Sequence, residues 1–577
     1  MAHVDALLLL FMLPVSDAFT PAPYSTQSIE GYLGLRLQVN LEGRLLRVDE
    51  ERLLRGFEHR PGEQDWIGEH VGKYLDAAAN MWELTHDRRL REQMDRIVNR
   101  LLKTQLPDGY LGTYLDQNRW TSWDVWVHKY DLVGLLAYYR IAQDDRALNA
   151  ARRIGDLLER TFGEGKRDII ASSTHMGMAA TSILEPMVAL YRVTKEQKYL
   201  DFAEYLVRSW EQPNGPKLLS TLETVGRVDK TANGKAYEMM SDLVGFVELH
   251  RVTGNPRYLK VAEIAWNDIA KNRLFITGTV SNHEHFHGDG EFPGEEKDEV
   301  GEGCATVTWL QLTWQLLRLT GEPKYARELE RTVFNQLLAA QDPESGNICY
   351  FTPLNGRKEP TPGINCCVSS EPRGISMIPA LVWGTLDGEP VIELYTSGVW
   401  HAPQADIQVL TGFPDTGEVS VIVTPPAPRT FALKLRVPNW TKSFEASVGK
   451  EKWKGQPGEY LRISREWKPV DELAIKIDMT VRVVDGAPSY PSHVAFVRGA
   501  QVLALDRDDN SRDDVPDLAR AWVLDPQPKD LKDDEVDFAV LGKVRGPKGR
   551  AESMWLFLLP FADSTEYRIW IPTTEPR

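Results

Sequence analysis

Three of the four cysteines in this chain fall into two short motifs, Gly301-Glu302-Gly303-Cys304 and Asn365-Cys366-Cys367. Thiolates are soft ligands that select zinc over magnesium or calcium, and a carboxylate completes a tetrahedral set. Glu302, Cys304, Cys366 and Cys367 are therefore read as the ligands of one Zn2+. Residues two apart on a helix point about 200° away from each other, so Glu302 and Cys304 share a ligand only in extended or irregular chain. Gly301 and Gly303 permit that irregularity. The segment leads into a helix expected to start near Ala305, and amide groups at a helix N-terminus favour thiolates. A bond between adjacent Cys366 and Cys367 would strain the peptide between them, which makes metal binding the more comfortable use. A lone cysteine is more often an inert small hydrophobe, and Cys349 is read that way.

The elements that must bring these motifs together are visible as a repeat. A pattern of apolar-x-x-Thr-x-acidic/Pro recurs with Thr85, Thr194, Thr253 and Thr320, and a degenerate copy places Ala142 at the same point; the steps are 57, 52, 59 and 67 residues. Repeats of this size signal one supersecondary unit used again. Val307, Leu310, Trp314 and Leu317 share one helical face before the last copy, and Tyr325, Leu329, Val333 and Leu337 share one after it. Gly254 and Gly321 suit a left-handed helix end, and Pro256 and Pro323 suit the first turn of the next helix. The unit is a helical hairpin. Five or six hairpins make either an open solenoid or a closed (α/α)6 barrel. The expectation is closure, with the long Pro107–Tyr114 and Thr277–Gly303 connections lining one mouth.

After about Trp383 the period changes to two. Phe431, Leu433, Leu435 and Val437 alternate with polar or small residues, as do Leu473, Ile475, Ile477 and Met479. The chain reads as a multidomain α+β protein, an N-terminal (α/α)6 barrel at 25–385 followed by C-terminal β-sandwich modules at 386–485 and 486–577, with a break near Asp485-Gly486-Ala487-Pro488. Residues 1–24 read as an export signal or an N-terminal arm on the barrel. The apolar run Ala6–Val15 is too short to span a bilayer of roughly 20 residues, and Ser16-Asp17-Ala18 suits a cleavage site, although no Lys or Arg precedes the run. Export or a cytoplasmic location are both open on this reading. A net charge of −16 argues against nucleic-acid binding, and the 17 tryptophans offer faces that stack on sugar rings.

Gly301-Glu302-Gly303-Cys304-Ala305, then Tyr350-Phe351-Thr352-Pro353-Leu354, then Cys366-Cys367, downstream of helical hairpins, resembles glycoside hydrolase family 127, whose best-known members are β-L-arabinofuranosidases. Pro107–Tyr114 is similar to a barrel loop of that family, and Val494–Gly499 to a strand of its C-terminal β domain. The resemblance implies a zinc-dependent cysteine glycosidase acting on an oligosaccharide or a polysaccharide side chain. Cys366 would be the nucleophile, Tyr350 would contact the sugar, and a glutamate in the preceding loop would be the acid/base. Glu284, within Asn282-His283-Glu284-His285-Phe286-His287, is the expected one, with Glu291 and Glu295 as alternatives. The family's sugar-contacting histidines find no clean counterpart. His128 and His175 are the expected substrate contacts, with Glu238 as a further pocket residue, and the changed surroundings leave the sugar open between L-arabinofuranose and a related pentose.

Zinc coordination would keep a thiol of pKa roughly 8.5 as thiolate, and a neighbouring carboxylic acid would protonate the departing oxygen and later activate water. His283, His285 and His287 crowd Glu284 in sequence and are expected to be neutral or turned toward substrate. Two other readings compete. One is a barrel glycosidase or uronyl hydrolase that uses two carboxylates around a structural zinc. The other is a non-catalytic carbohydrate-binding protein.

Overall fold

The structure is a computed structural model that describes residues 14–486, 488–510, 521–530, 538–545 and 550–576. The apolar run that begins at Ala6 lies outside the described residues up to Leu13. From Phe19 onward the N-terminal segment is woven into the β domain: Phe19–Pro21 pairs with Trp383–Leu386, and Gln27–Ile29 pairs with Gly398–His401.

Among the described residues, six helical stretches form the inner ring: Glu69–Thr85, Asp124–Ala142, Met178–Thr181 with Leu184–Thr194, Ala236–Thr253, Gly303–Thr320 and Cys366–Val382. Each packs on the next, and Cys366–Val382 packs back on Glu69–Thr85, which closes the ring. Closure explains why these helices are buried on nearly every face, as in Ala236–Thr253, where all residues from Ala236 to Arg251 are buried. The returning outer helices, such as Arg88–Lys103 and Asp145–Thr161, keep one apolar face and expose the other. The sixth outer position goes to Gly31–Val39, from ahead of the first hairpin, which packs on Cys366–Val382. This circular arrangement is why the repeat pattern shows five copies for six hairpins.

The recurring threonine has a defined job. The hydroxyls of Thr85, Thr194, Thr253 and Thr320 each donate to the carbonyl four residues back, and each accepts the amide two residues on. The residue between is left-handed in every copy: His86, Lys195, Gly254 and Gly321. One side chain thus ends the inner helix and starts the outer one, satisfying a carbonyl and an amide that would otherwise lack partners. In the degenerate copy, Ala142 has no hydroxyl, and Gln143 donates its side-chain amide to the carbonyls of Tyr139 and Arg140 instead.

Past the barrel, a five-stranded and a seven-stranded sheet use strands from Trp383–Leu386 to Asp471–Ile477 together with the two N-terminal strands. A third sheet takes Arg482–Asp485 and the strands that follow. The change of sheet therefore falls between Ile477 and Arg482, ahead of the Asp485–Pro488 break read from the sequence. The third sheet also recruits Asn355–Arg357 from the barrel, which pairs with Glu566–Arg568. Arg436 of the sandwich is fully buried against Glu330 of the barrel.

Candidate active site

Five of the six inner helices end in a left-handed turn residue and an antiparallel return, and the sixth, Cys366–Val382, enters the ring after an outer helix as they do, so all six run in one direction. Their N-termini converge on one mouth, where amide dipoles favour anions. Both cysteine motifs sit there. Cys304 is the second residue of Gly303–Thr320, so the helix starts two residues earlier than expected, and Cys366 and Cys367 open Cys366–Val382. Asn365 caps that second helix, its side-chain oxygen accepting the Val368 amide.

The glycines allow the contact. Gly301 adopts a positive φ of 75°, and a Cβ there would collide with the Gln336 amide and the Thr352 carbonyl. At Gly303 a Cβ would lie 3.1 Å from Cβ of Cys367. The result is a group of three sulfurs, Cys304, Cys366 and Cys367, all within 4.8 Å of one another, which can hold a metal ion. The Cys304 amide donates to Sγ of Cys367 at 3.4 Å, and Ser370 Oγ lies 3.3 Å from Sγ of Cys304.

Glu302 is buried at 2% exposure with Oε2 lacking a hydrogen-bond partner, and it lines the same pocket as Cys366. It is not one of the atoms in the 4.8 Å group. With the helix beginning at Gly303, Glu302 is the residue that immediately precedes it.

The pocket is a cleft of about 260 Å³ lined by Trp66, Trp123 and Trp126, by Glu69, Glu238, Glu284 and Glu302, and by His175, Lys235, Tyr237, Tyr350 and Cys366. Tyr350 sits at its centre. Its hydroxyl lies 2.9 Å from Oε1 of Glu284 and 3.0 Å from Sγ of Cys366. Glu284 and His283 both hold positive φ, an uncommon conformation outside glycine that aims the Glu284 carboxylate at this hydroxyl. The other carboxylate oxygen of Glu284 is in an ion pair with Lys235.

Electrostatics separates the three thiols. Hydrogen bonds from Cys304 and Cys367, helped by the Lys73 charge and by Tyr350 and opposed by burial, hold Cys366 well below the usual thiol range. Burial pushes Cys304 and Cys367 well up. Burial, together with repulsion from Glu284, also raises Glu302 well above the usual carboxyl range, and burial raises Glu238. Cys366 is the half-buried member of the trio and the one that lines the cleft.

His175 lines the pocket, its ring 5.4 Å from that of Trp123 and its Nδ1 3.3 Å from the Asn233 amide. His128 does not. It is fully buried in the barrel wall, with Nδ1 2.8 Å from the Asp124 carbonyl and its ring against Tyr110 and Trp120. The crowding of Glu284 by histidines is also corrected. Nδ1 of His283 pairs with Glu299 at 3.2 Å, that of His285 meets the His283 carbonyl, and His287 is held between the Gly288 and Arg273 carbonyls. Glu291 bonds the Gly288 amide and Glu295 the Asn355 amide group, and neither lines the pocket.

Sequence reasoning missed the buried pair beneath the sulfurs. Lys73 has no exposed surface; its ammonium lies 2.9 Å from Glu69, 3.9 Å from Sγ of Cys304 and 3.3 Å from the Cys366 carbonyl, over the rings of Tyr130 and Tyr237. Burial pulls its pKa down, but the neighbouring Cys304 and Glu69 outweigh that and hold it above the ordinary lysine range. Trp126 donates its indole N–H to the other oxygen of Glu69.

Comparison with known proteins agrees with this architecture. The model of the beta-L-arabinofuranosidase GH127 catalytic domain matches residues 40–380, and that of the GH127 middle domain matches 391–479. The non-reducing end beta-L-arabinofuranosidase of Bifidobacterium longum subsp. longum is 24% identical over 506 residues, covering 77% of this chain and 76% of that protein. A solved GH127 beta-arabinofuranosidase superposes with a TM-score of 0.84 at 20% identity, over 97% of this chain and 98% of that one. Another, the GH127 beta-L-arabinofuranosidase of Geobacillus stearothermophilus T6, gives 0.77 at 20% identity, over 95% and 99%. Since the catalytic-domain model alone spans more than half of the residues, this chain belongs to glycoside hydrolase family 127.

Proposed function

We propose that this glycosidase releases a terminal L-arabinofuranose or related pentose from a glycan with retention of configuration, using Cys366 as nucleophile and Glu284 as acid/base. The observation that carries the reading is the shared phenol of Tyr350. Two groups that lie 2.9 and 3.0 Å from one oxygen are within about 6 Å of each other, and retaining hydrolysis uses a separation of about 5–5.5 Å. A phenol has one proton to give, so it donates to one of the two groups and accepts from the other. In this structure the Tyr350 proton is directed at Oε1 of Glu284, and the first step of a retaining reaction requires that carboxyl to carry a proton of its own.

In that step the Cys366 thiolate attacks the anomeric carbon, the C–S bond forms as the glycosidic C–O bond breaks, and the Glu284 proton goes to the departing oxygen. In the second, the Glu284 carboxylate takes a proton from water as that water attacks the same carbon, and the C–S bond electrons return to Cys366. Trp66 and Trp123 wall the cleft where a furanose face would lie, and His175, Lys235 and Glu238 supply polar groups for its hydroxyls.

The donor set fits zinc. Three sulfurs gathered at two helix N-termini, beside a buried carboxylate oxygen of Glu302 that lacks a partner, offer the soft, four-donor chemistry that zinc takes. Cys304, Cys366, Cys367 and Glu302 would hold it, and bound zinc would stabilise sulfur as thiolate and improve it as a leaving group.

Cys366→Ser tests the reading. The expected outcome is a folded protein, by circular dichroism and thermal midpoint, whose turnover of an aryl β-L-arabinofuranoside falls by about 10³-fold or more. Native protein quenched with acid should carry one pentosyl group on Cys366 by mass spectrometry. A folded Cys366→Ser enzyme that keeps near-native turnover would favour two carboxylates, Glu284 with Glu238, as the catalytic pair.

A further inference from the structure

A second pocket of about 340 Å³ lies where barrel, sandwich and third sheet meet, away from the cysteines. Its walls carry the rings of Phe292, Trp440, Tyr490 and Trp570 and the guanidiniums of Arg331 and Arg482. Tyr490 and Trp570 stack at 5.2 Å and 18°. Three of its lining residues have a buried polar atom with no hydrogen-bond partner: Nε of Arg482, the Tyr490 hydroxyl and the Trp570 indole nitrogen. These three atoms are themselves shut off from solvent, so what the cavity presents to a ligand is the ring faces and the guanidinium groups of its lining residues.

The charge there is unbalanced. Arg327, also in the wall, and Arg331 share the single carboxylate of Glu328. Glu330 is taken by Arg436 and the Trp440 indole. Among the described residues Arg482 donates to the Gly499 carbonyl, and burial together with the nearby Arg331 charge, against the opposing pull of Glu330, lowers its pKa. Asp485 stands exposed at the rim. A planar guanidinium with free donors is built to take a carboxylate, and the flat rings beside it are built to take the face of a sugar. A small inorganic anion would leave the rings unused, and a neutral sugar would leave the charge unanswered.

We propose that this junction pocket is a second saccharide site that takes a uronic acid residue, its carboxylate on Arg482 and its ring against the aromatic wall. No hydrolysis is assigned to it: of its lining carboxylates, Glu330 is held by Arg436 and the Trp440 indole, and Asp485 stands at the exposed rim. The pocket is coupled to the catalytic mouth through one connection. Phe292 follows Glu284 in the same loop, and Ser489 of the third-sheet module pins that loop by accepting the Phe292 amide and donating to the Gly290 carbonyl. The proposal rests on the family's glycan chemistry for the choice of a sugar, and it is independent of whether Cys366 is the nucleophile.

The test is calorimetric titration of the full-length protein with methyl glucuronide and, as the neutral match, methyl glucoside. Glucuronide should bind at least about tenfold more tightly, the margin expected of one charge-assisted contact. Arg482→Gln should bring glucuronide down to the glucoside level, Trp440→Phe should weaken both ligands, and Cys366→Ser should change neither. Equal affinity of the two sugars for the native protein, a glucuronide preference that survives Arg482→Gln, or its loss in Cys366→Ser would each overturn the proposal. The native comparison decides the matter if Arg482→Gln does not fold.

Discussion

The two rims of the barrel are made from opposite ends of the same six inner helices, and they are built on opposite rules. At the C-terminal rim four turns are closed by one threonine hydroxyl each and a fifth by Gln143, so polar groups are satisfied locally within a few residues. At the N-terminal rim, partners come from far along the chain and, among the described residues, several are missing: Glu238 and Glu302 each bury an oxygen without a hydrogen-bond partner, and Glu371 buries two. The fold concentrates order at one end and unmet bonding capacity at the other. Stability and function are thereby separable, and substitutions at the two rims should show different signatures.

The largest effect that breaks the contrast should come from Lys73, which belongs to the functional rim yet holds it together. Lys73→Met leaves Glu69 buried without its cation and removes the positive charge from beside Cys304, so it should lower stability by about 3–5 kcal/mol by denaturant titration. The double variant with Glu69→Gln should recover much of that loss. Equal losses in the single and double variants would mean that the pair is not the unit of stability.

His70 should show next. It has no exposed surface and, among the described residues, no hydrogen-bond partner on either ring nitrogen, Nδ1 lying 3.7 Å from Glu69, and burial lowers its pKa to about 3. A histidine whose folded pKa lies below its unfolded value of about 6.5 contributes its full stability above that value and loses it as the pH falls. Between pH 7 and 5 that loss amounts to about 2 kcal/mol, and His70→Leu should flatten the acid side of the thermal-midpoint profile over that window. A profile that stays as steep would place the acid sensitivity elsewhere. Tyr350→Phe should cost less, about tenfold in kcat with the thermal midpoint unchanged, since it removes one hydroxyl between Cys366 and Glu284. An unchanged kcat would show that the shared phenol is not part of the reaction path.

The difference between the rims also governed what could be read from the chain. The hairpin repeat was legible because its chemistry is local: a threonine, a left-handed residue and a capped helix all lie within four positions. The cysteine motifs were legible because Gly301 and Gly303 announce a close approach and three thiols in two short motifs are rare. Lys73 was not. Glu69 and Lys73 stand four apart on a helix, the spacing of an ordinary surface ion pair, and only ring closure buries them. His128 carried the same sequence credentials as His175, but its ring nitrogen faces its own helix's Asp124 carbonyl, and Trp120 shuts it from the cleft. Asn355–Arg357 is too short to show a strand period and becomes a strand only because Glu566–Arg568 reaches it.

The smallest effects should sharpen the comparison at the other rim. Thr253→Ala and Thr320→Ala each remove a hydroxyl that serves one carbonyl and one amide, so each should lower stability by about 1 kcal/mol while leaving turnover unchanged. The degenerate turn supplies the reverse experiment. Ala142 occupies the threonine position and is followed by left-handed Gln143, so the backbone already has the geometry that the hydroxyl serves in the other copies. Ala142→Thr would place an oxygen to donate to the Tyr138 carbonyl and accept the Asp144 amide, as its four counterparts do. The expected result is a gain of about 0.5 kcal/mol in a thermal or denaturant melt, reduced from the full value because threonine is a weaker helix former than alanine. A loss instead of a gain would mean that Gln143, whose side chain already serves the Tyr139 and Arg140 carbonyls, has replaced the threonine's role completely.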